Sequence, residues 1–405
     1  SLHAAGKRVI LNSTWTRDPF EAMYRYGVDY RELAAIGVDG FVVEAAAAAS
    51  ETERGQSTAA PLHEFAAMLM LLKARIPQVP LLYLNGVKDS LEQWNVIRHS
   101  PTALEREIEC LSSVTIRLAQ GGLARCSAGP MVCLADGLAP HEWAWLRARW
   151  DIAYDADPVD ALGATLVWSD AALATGLQDY AETRRWSVHR WLHRLLAAGA
   201  PIHSVVRIED LGQVTGPVLL LNPQHLPEDE RALVRRQVAG PLIIVGPAAN
   251  GLGAPEWSRR ETQAEDSIAC HVFGAGPDAS WPSYVPVPPD PGLEDVRTRP
   301  DPPSFIDDLN FVPVTSSFVE VCAAVISRVS HAPRAEGASA AVIRVRTVVL
   351  GPDALRITVS NDSSAYVRAT ICVGRSVQHI EVLTAFPCMP LEPDGDRFTV
   401  RLPGR

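Results

Sequence analysis

Within the first 160 residues, four short and nearly continuous apolar runs alternate with stretches of helical pattern, and that alternation leaves few folds open. The runs are 8–15 (RVILNSTW), 40–46 (GFVVEAA), 80–87 (PLLYLNGV) and 130–135 (PMVCLA). A strand that is apolar along its whole length is buried on both faces, the condition of a parallel sheet flanked by helices. The helix starts carry matching signals. Asp18-Pro19-Phe20-Glu21 sets a capping carboxylate before a proline at the first helical position and a glutamate at the third. Ser100-Pro101 and Ala139-Pro140 repeat the proline entry, before helices expected over 102–118 and 141–150.

From about residue 161 the alternation restarts. Strands are expected at 164–168, 202–208, 217–222, 241–245 and 267–273, with helices over 180–198 and 227–238 between them. Prolines crowd 274–313, so that stretch is expected to be an extended linker crossing the surface without a core of its own. A helix is expected at 317–329. From residue 340 the period changes to two, in AVIRVRTVVL, ALRITVSN, YVRATICVG and HIEVLTAF, with Asn361-Asp362 and Asp394-Gly395 as turns. A small antiparallel β-sandwich is the expected end of the chain. The divisions are therefore 1–160, 161–330 and 331–405.

At 405 residues the chain has room for two or three domains of about 150 residues each. Lys and Arg total 37 against 47 Asp and Glu, a formal charge of -10, which argues against a nucleic-acid partner. No apolar run reaches the roughly 18 residues of a membrane span, and residues 1–8 lack the apolar core of a signal peptide, so no membrane partner is expected. The seven cysteines include no CxxC pair, which points to reduced, buried thiols and a cytoplasmic location.

The middle region carries the most specific likeness to a known family. LLLNPQHLPEDERALVRRQVAGPLIIVGPA, residues 219–248, resembles the strand, proline-opened helix and strand of a glutamine-amidotransferase-like domain of flavodoxin-like α/β fold. The stretch 166–170 and the helical pattern 186–199 resemble its beginning. RITVSNDSSAYVRATICVG with the later RFTVRLPGR is similar to the terminal β-sandwich of the same proteins. The chain thus resembles β-galactosidase-like glycoside hydrolases, built from a TIM barrel, an amidotransferase-like domain and a β-sandwich. The resemblance implies that residues 1–160 are TIM-barrel-like; a smaller open parallel sheet is the alternative. A whole barrel takes eight βα units and about 250 residues, so these four units would match the fifth to eighth strands. It also implies a carbohydrate substrate, no cofactor, and a homo-oligomer assembled through the middle domain.

In such barrels the reacting groups stand at the carboxyl ends of strands. Here those positions are Asn12, Trp15, Glu44, Tyr83, Asn85, Asp89 and Asp136. Glu44 directly follows Phe41-Val42-Val43 and precedes five alanines, a small-residue loop with room for a ligand, and is the first catalytic candidate. An ion pair to an arginine, or a helix cap, is its other possible role. Asp136 is the second catalytic candidate, with a turn at Asp136-Gly137 as its alternative. Asn12, Trp15, Tyr83, Asn85 and Asp89 are the substrate-binding candidates. Glycosidic cleavage needs two carboxyl groups, and the family's two glutamates follow its fourth and seventh strands. The stretch matching the seventh reads Leu84-Asn85-Gly86, so neither glutamate carries over onto this sequence. A carbohydrate-binding or scaffold homologue without catalysis is the alternative.

Other chemistries find less support. The amidotransferase elbow would need a cysteine where Gly246-Pro247-Ala248-Ala249-Asn250-Gly251 stands. His189 and His193 have metal-binding spacing on a helix, but no acid of the HExxH kind lies between them, and no metal is expected.

Overall fold

The computed structural model describes residues 3–13, 17–45, 47–49, 60–91, 94–247, 253–263, 266–276, 281–284, 296–303 and 307–404. The chain begins with β1 (Ile10–Ser13), α1 (Pro19–Tyr26), α2 (Tyr30–Ala35), β2 (Gly40–Val43), α3 (Ala60–Arg75), β3 (Leu81–Asp89) and β4 (Trp94–Asn95). Next come α4 (Val96–His99), α5 (Pro101–Ser113), β5 (Thr115–Arg117), β6 (Leu123–Arg125), β7 (Gly129–Ala135), α6 (Pro140–Ala153), β8 (Ala164–Trp168), α7 (Asp170–Thr183) and α8 (Val188–Ala197). The remainder holds β9 (Ile202–Arg207), β10 (Val218–Leu221), α9 (Glu228–Gln237), β11 (Leu242–Pro247), β12 (Trp257–Gln263), β13 (Asp266–Phe273) and α10 (Ser316–Ser330). It ends with β14 (Arg334–Glu336), β15 (Ile343–Gly351), β16 (Ala354–Asn361), β17 (Val367–Cys372), β18 (Pro393–Asp394) and β19 (Arg397–Leu402). The fold is mixed α/β.

The first sheet is a parallel ladder in the order β1-β2-β3-β7, with the short β4 antiparallel to β3. Helix α1 begins as its sequence requires: the Asp18 carboxylate accepts from Phe20 N at 2.9 Å, and Gly27 closes the helix at φ 64°. The second sheet runs β12-β13-β11-β10-β8-β9-β5-β6. Its parallel heart, β9-β8-β10-β11, is the second, first, third and fourth strand of this region, the order of a doubly wound flavodoxin-like sheet. The sheets do not divide at residue 160. Strand β5 pairs with β9 in parallel, carrying residues 115–125 of the first region into the second sheet.

Between the two sheets lies α3. Its sequence, APLHEFAAMLMLLKAR, is apolar on nearly every side, and Phe65, Ala66, Leu69, Met70 and Leu72 are buried to within 1%. A helix apolar all round has to be enclosed, and α3 is enclosed by α8, α5, α1 and strands of both sheets. The expected helix over 180–198 is broken at Arg184, which turns left-handed at φ 60°, and restarts where Ser187 accepts from Arg190 N at 3.1 Å.

The proline-rich stretch is fastened down where it is described. Leu309 joins the main core, with Trp281, Tyr284, Phe311 and Val312 packed against it. Asp301 accepts from Tyr24 and Tyr180, each at 2.7 Å, and pairs with Arg184 at 2.6 Å. The C-terminal strands form a β15-β16 hairpin and an antiparallel β14-β17-β19-β18 sheet, which share one apolar cluster around Ile343, Ile371, Phe398 and Val400. HIEVLTAF, expected as a strand, has no regular structure, since residues 375–392 pair with no ladder. The seven cysteines form no disulfide with one another, and five of them are buried. No described helix is long and apolar enough to cross a membrane.

Candidate functional site

Side chains alternate across a strand, so pairing register assigns each candidate to a face of the first sheet. Asn12 aligns with Val42 and Val42 with Leu82, while Ser13, Val43 and Tyr83 align one step further on. Tyr83, Asn85 and Asp89 therefore share the face that carries Phe41, Val43 and Leu81, the face packed under α3 and α5. Asn12 lies on the opposite face, and Glu44, one residue beyond the end of β2, continues the alternation onto the same side. No described helix packs on that side. Ile10 there is 51% exposed and Met131 38%, while Val42 and Leu84 at its centre are buried.

The candidates expected to act together are thus separated. Trp15 lies outside the described residues. Asn12 is exposed and Glu44 half-buried. Tyr83 and Asn85 are fully buried, so neither meets a ligand in this arrangement. Burial pushes the Tyr83 hydroxyl well above its usual range, and its neighbour Tyr154 bonds Ser127 at 2.6 Å. Asp89 accepts from Leu91 N at 2.7 Å and closes the turn after β3. Asp136 is exposed. It accepts from Ser90 Oγ at 2.6 Å, and the bonds from Ser90 hold its carboxyl below the usual range. Ser90 thus ties the turn at Asp136-Gly137 to the turn after β3, a contact of the kind the turn reading of Asp136 calls for.

Asn85 belongs to a group that strand-end reasoning passes over. Its Nδ2 donates to Glu107 Oε1 at 2.5 Å, its Oδ1 accepts from Trp150 Nε1 at 3.3 Å, and Glu107 Oε2 accepts from Ala48 N at 2.7 Å. Glu107, 1% exposed on α5, thereby ties the segment after β2, in which Glu44 lies, to β3 and α6. A signal for it exists in the sequence. Glu107 sits inside the apolar stripe Leu104, Ile108, Leu111, where a charge needs internal partners.

His189 and His193 point into the α3–α8 packing. His189 Nδ1 lies 3.2 Å from the buried Asp18 carboxylate, and burial lowers both imidazoles below their usual range. Among the described residues no three His, Cys, Asp or Glu side chains are grouped to hold a metal. Most of the stretch compared with the amidotransferase elbow, from residue 248 on, lies outside the described residues.

Chemically, the open face offers one strand-end carboxylate, Glu44, beside an amide, Asn12. Of the described residues at the strand positions of that face, the others are Ile10, Gly40, Val42, Leu82, Leu84, Gly86, Lys88, Asn95, Gly129, Met131, Cys133 and Ala135, and none is an acid.

No protein-family model and no curated protein matches the chain. Among solved structures, it is similar to the beta-galactosidase from the psychrophilic Marinomonas ef1, at 12% identity and a TM-score of 0.47, over 98% of this chain. The chain spans 64% of that protein's length. A likeness at this level leaves the chemistry to be argued from the residues themselves.

Proposed function

We propose that the chain acts on carbohydrate as a glycoside hydrolase with a β-galactosidase-like domain order, the first sheet corresponding to part of a TIM barrel and the C-terminal strands to a β-sandwich. The observation that carries this reading is Glu44, a half-buried carboxylate at the carboxyl end of a parallel strand, on the side of the sheet that no described helix covers. Glu44 is the proton donor or the nucleophile of the pair, and Asn12 hydrogen-bonds sugar hydroxyls. The amidotransferase-like sheet contributes oligomer contacts, and no cofactor takes part. A second reading, a carbohydrate-binding homologue without turnover, is favoured by one observation: the described strand positions of the open face hold no second carboxylate.

Aryl glycosides of the common neutral hexoses and pentoses separate the two readings. Released aryl alcohol, with a turnover number that falls about 10²- to 10⁴-fold in Glu44→Gln, supports the hydrolase. Saturable sugar binding without any release supports the second reading.

A further inference from the structure

A groove of about 1300 Å³ opens between α8, α10, the 308–316 segment and the start of β15. Its walls carry Arg190 and Arg194 from α8, Arg328 from α10, and Arg334 and Arg344 from the C-terminal strands. The acids among its described lining residues are two, Asp308 and Glu320. On a chain of formal charge -10, that is a local reversal of sign. Charge gathered inside a concave wall focuses potential into the groove.

The arginines differ in how they are held. Arg190 pairs with Asp308 at 2.7 Å and lies over the Trp186 and Phe311 rings at 5.7 and 5.4 Å. Arg344 Nε sits 3.0 Å from Asp362, and Arg334 is 3.9 Å from Glu336. Arg194 makes no ion pair or hydrogen bond among the described residues, and its Nε is buried without an acceptor. One turn from Arg190 on the same helix, it feels that like charge and the opposite charges of Asp308 and Glu64, neither of which pairs with it directly. Burial and then Arg190 lower its pKa.

We propose that this groove is a binding site for an elongated acidic oligosaccharide, whose carboxylate or sulfate groups meet Arg194, Arg328 and Arg334 while its hydroxyls meet Asp308, Glu320 and Ser327. The volume exceeds the roughly 300–1,000 Å³ of an ordinary small-molecule pocket. The two acids and the serine suit a polyhydroxylated anion, because its hydroxyls can donate to them, whereas the ionised Asp and Glu side chains of an acidic peptide cannot. The aromatic faces a single-stranded nucleic acid would stack on are taken by Arg190, and the overall negative charge repels a polynucleotide.

The inference does not rest on the hydrolase reading, and its test reads binding instead of turnover, so either can fail alone. The purified chain is titrated calorimetrically with an oligogalacturonate, a sulfated oligosaccharide, a neutral oligosaccharide of equal length, an acidic peptide and a short oligothymidylate. Saturable binding of either acidic sugar, weakened tenfold or more in Arg194→Gln and in Arg328→Gln and unchanged in Arg235→Gln on α9, is the expected result. The first two arms tell carboxylate from sulfate as the group recognised. If Arg194→Gln unfolds by circular dichroism, the exposed Arg334→Gln takes its place. No acidic-sugar binding at millimolar concentration, equal binding by the variants, or binding of the neutral sugar, peptide or oligonucleotide as tightly as the acidic sugar would overturn the proposal.

Discussion

Strand β10 of the second sheet is packed on both sides, whereas β7 of the first meets described helices on one side. In β10, Leu219 and Leu221 enter the main core while Val218 and Leu220 enter a second cluster with Ile208, Leu226 and Val234. In β7, Val132 packs toward the helices and Met131, its neighbour in the alternation, is 38% exposed. Both strands read as buried from sequence alone. The difference lies in what the described residues bring against them: one sheet is packed on both faces, and the other leaves Ile10 and Met131 exposed on the face that no described helix covers.

Substitution energies should follow that contrast. Leu219→Ala, at a fully buried site, is expected to cost about 2–5 kcal/mol, measured by urea unfolding. A loss below about 1 kcal/mol would mean that the second sheet is not the rigid core described.

The two regions should also answer pH with opposite signs. Burial raises Asp18, the cap of α1, to about 7 from 3.8, so the folded chain holds a proton that the unfolded chain has released. The stability this supplies is fully present below pH 3.8 and lost as pH rises through 7, on the order of 2–4 kcal/mol. Asp18→Asn keeps a capping oxygen and should flatten that slope. His203 in β9, at 2.6 Å from the Leu162 carbonyl, is lowered by burial to about 4 from 6.5. Its contribution is present above pH 6.5 and lost as pH falls through 4, on the order of 2–3 kcal/mol. His203→Gln should therefore remove acid sensitivity where Asp18→Asn removes sensitivity to neutral pH. Stability curves of the two variants that tilt the same way would break the contrast.

The smallest effect is expected on the open face. Met131→Ala should cost less than about 1 kcal/mol by the same unfolding assay, because its side chain already meets solvent. A cost as large as that of Leu219→Ala would show that something covers this face in solution.

Much of the α/β layering was legible because parallel strands are apolar throughout: 164–168 matches β8 residue for residue. What escaped was set by distant partners. Strand β5 is three residues long and pairs with β9, far along the chain, so no local pattern announces it. Strand β12, WSRRETQ, carries three charges and no apolar run, yet Glu261 is buried, with Tyr284 and Thr315 bonded to it. The proline-rich stretch looked like free linker because the acceptor that fastens it, Asp301, gains meaning only beside Tyr24, Tyr180 and Arg184. At the candidate site, strand ends were legible and faces were not. A face depends on register between strands, and register separated Asn12 and Glu44 from Tyr83, Asn85 and Asp89.

That separation is tested most directly by comparing kcat/KM for Glu44→Gln, Tyr83→Phe and Asp136→Asn on one aryl glycoside, each variant being confirmed as folded. A fall of about 10²-fold or more in Glu44→Gln alone, with the other two within a few-fold of the parent, is the expected result. An unchanged Glu44→Gln, or an equal collapse in Asp136→Asn, would contradict the assignment of the chemistry to the open face.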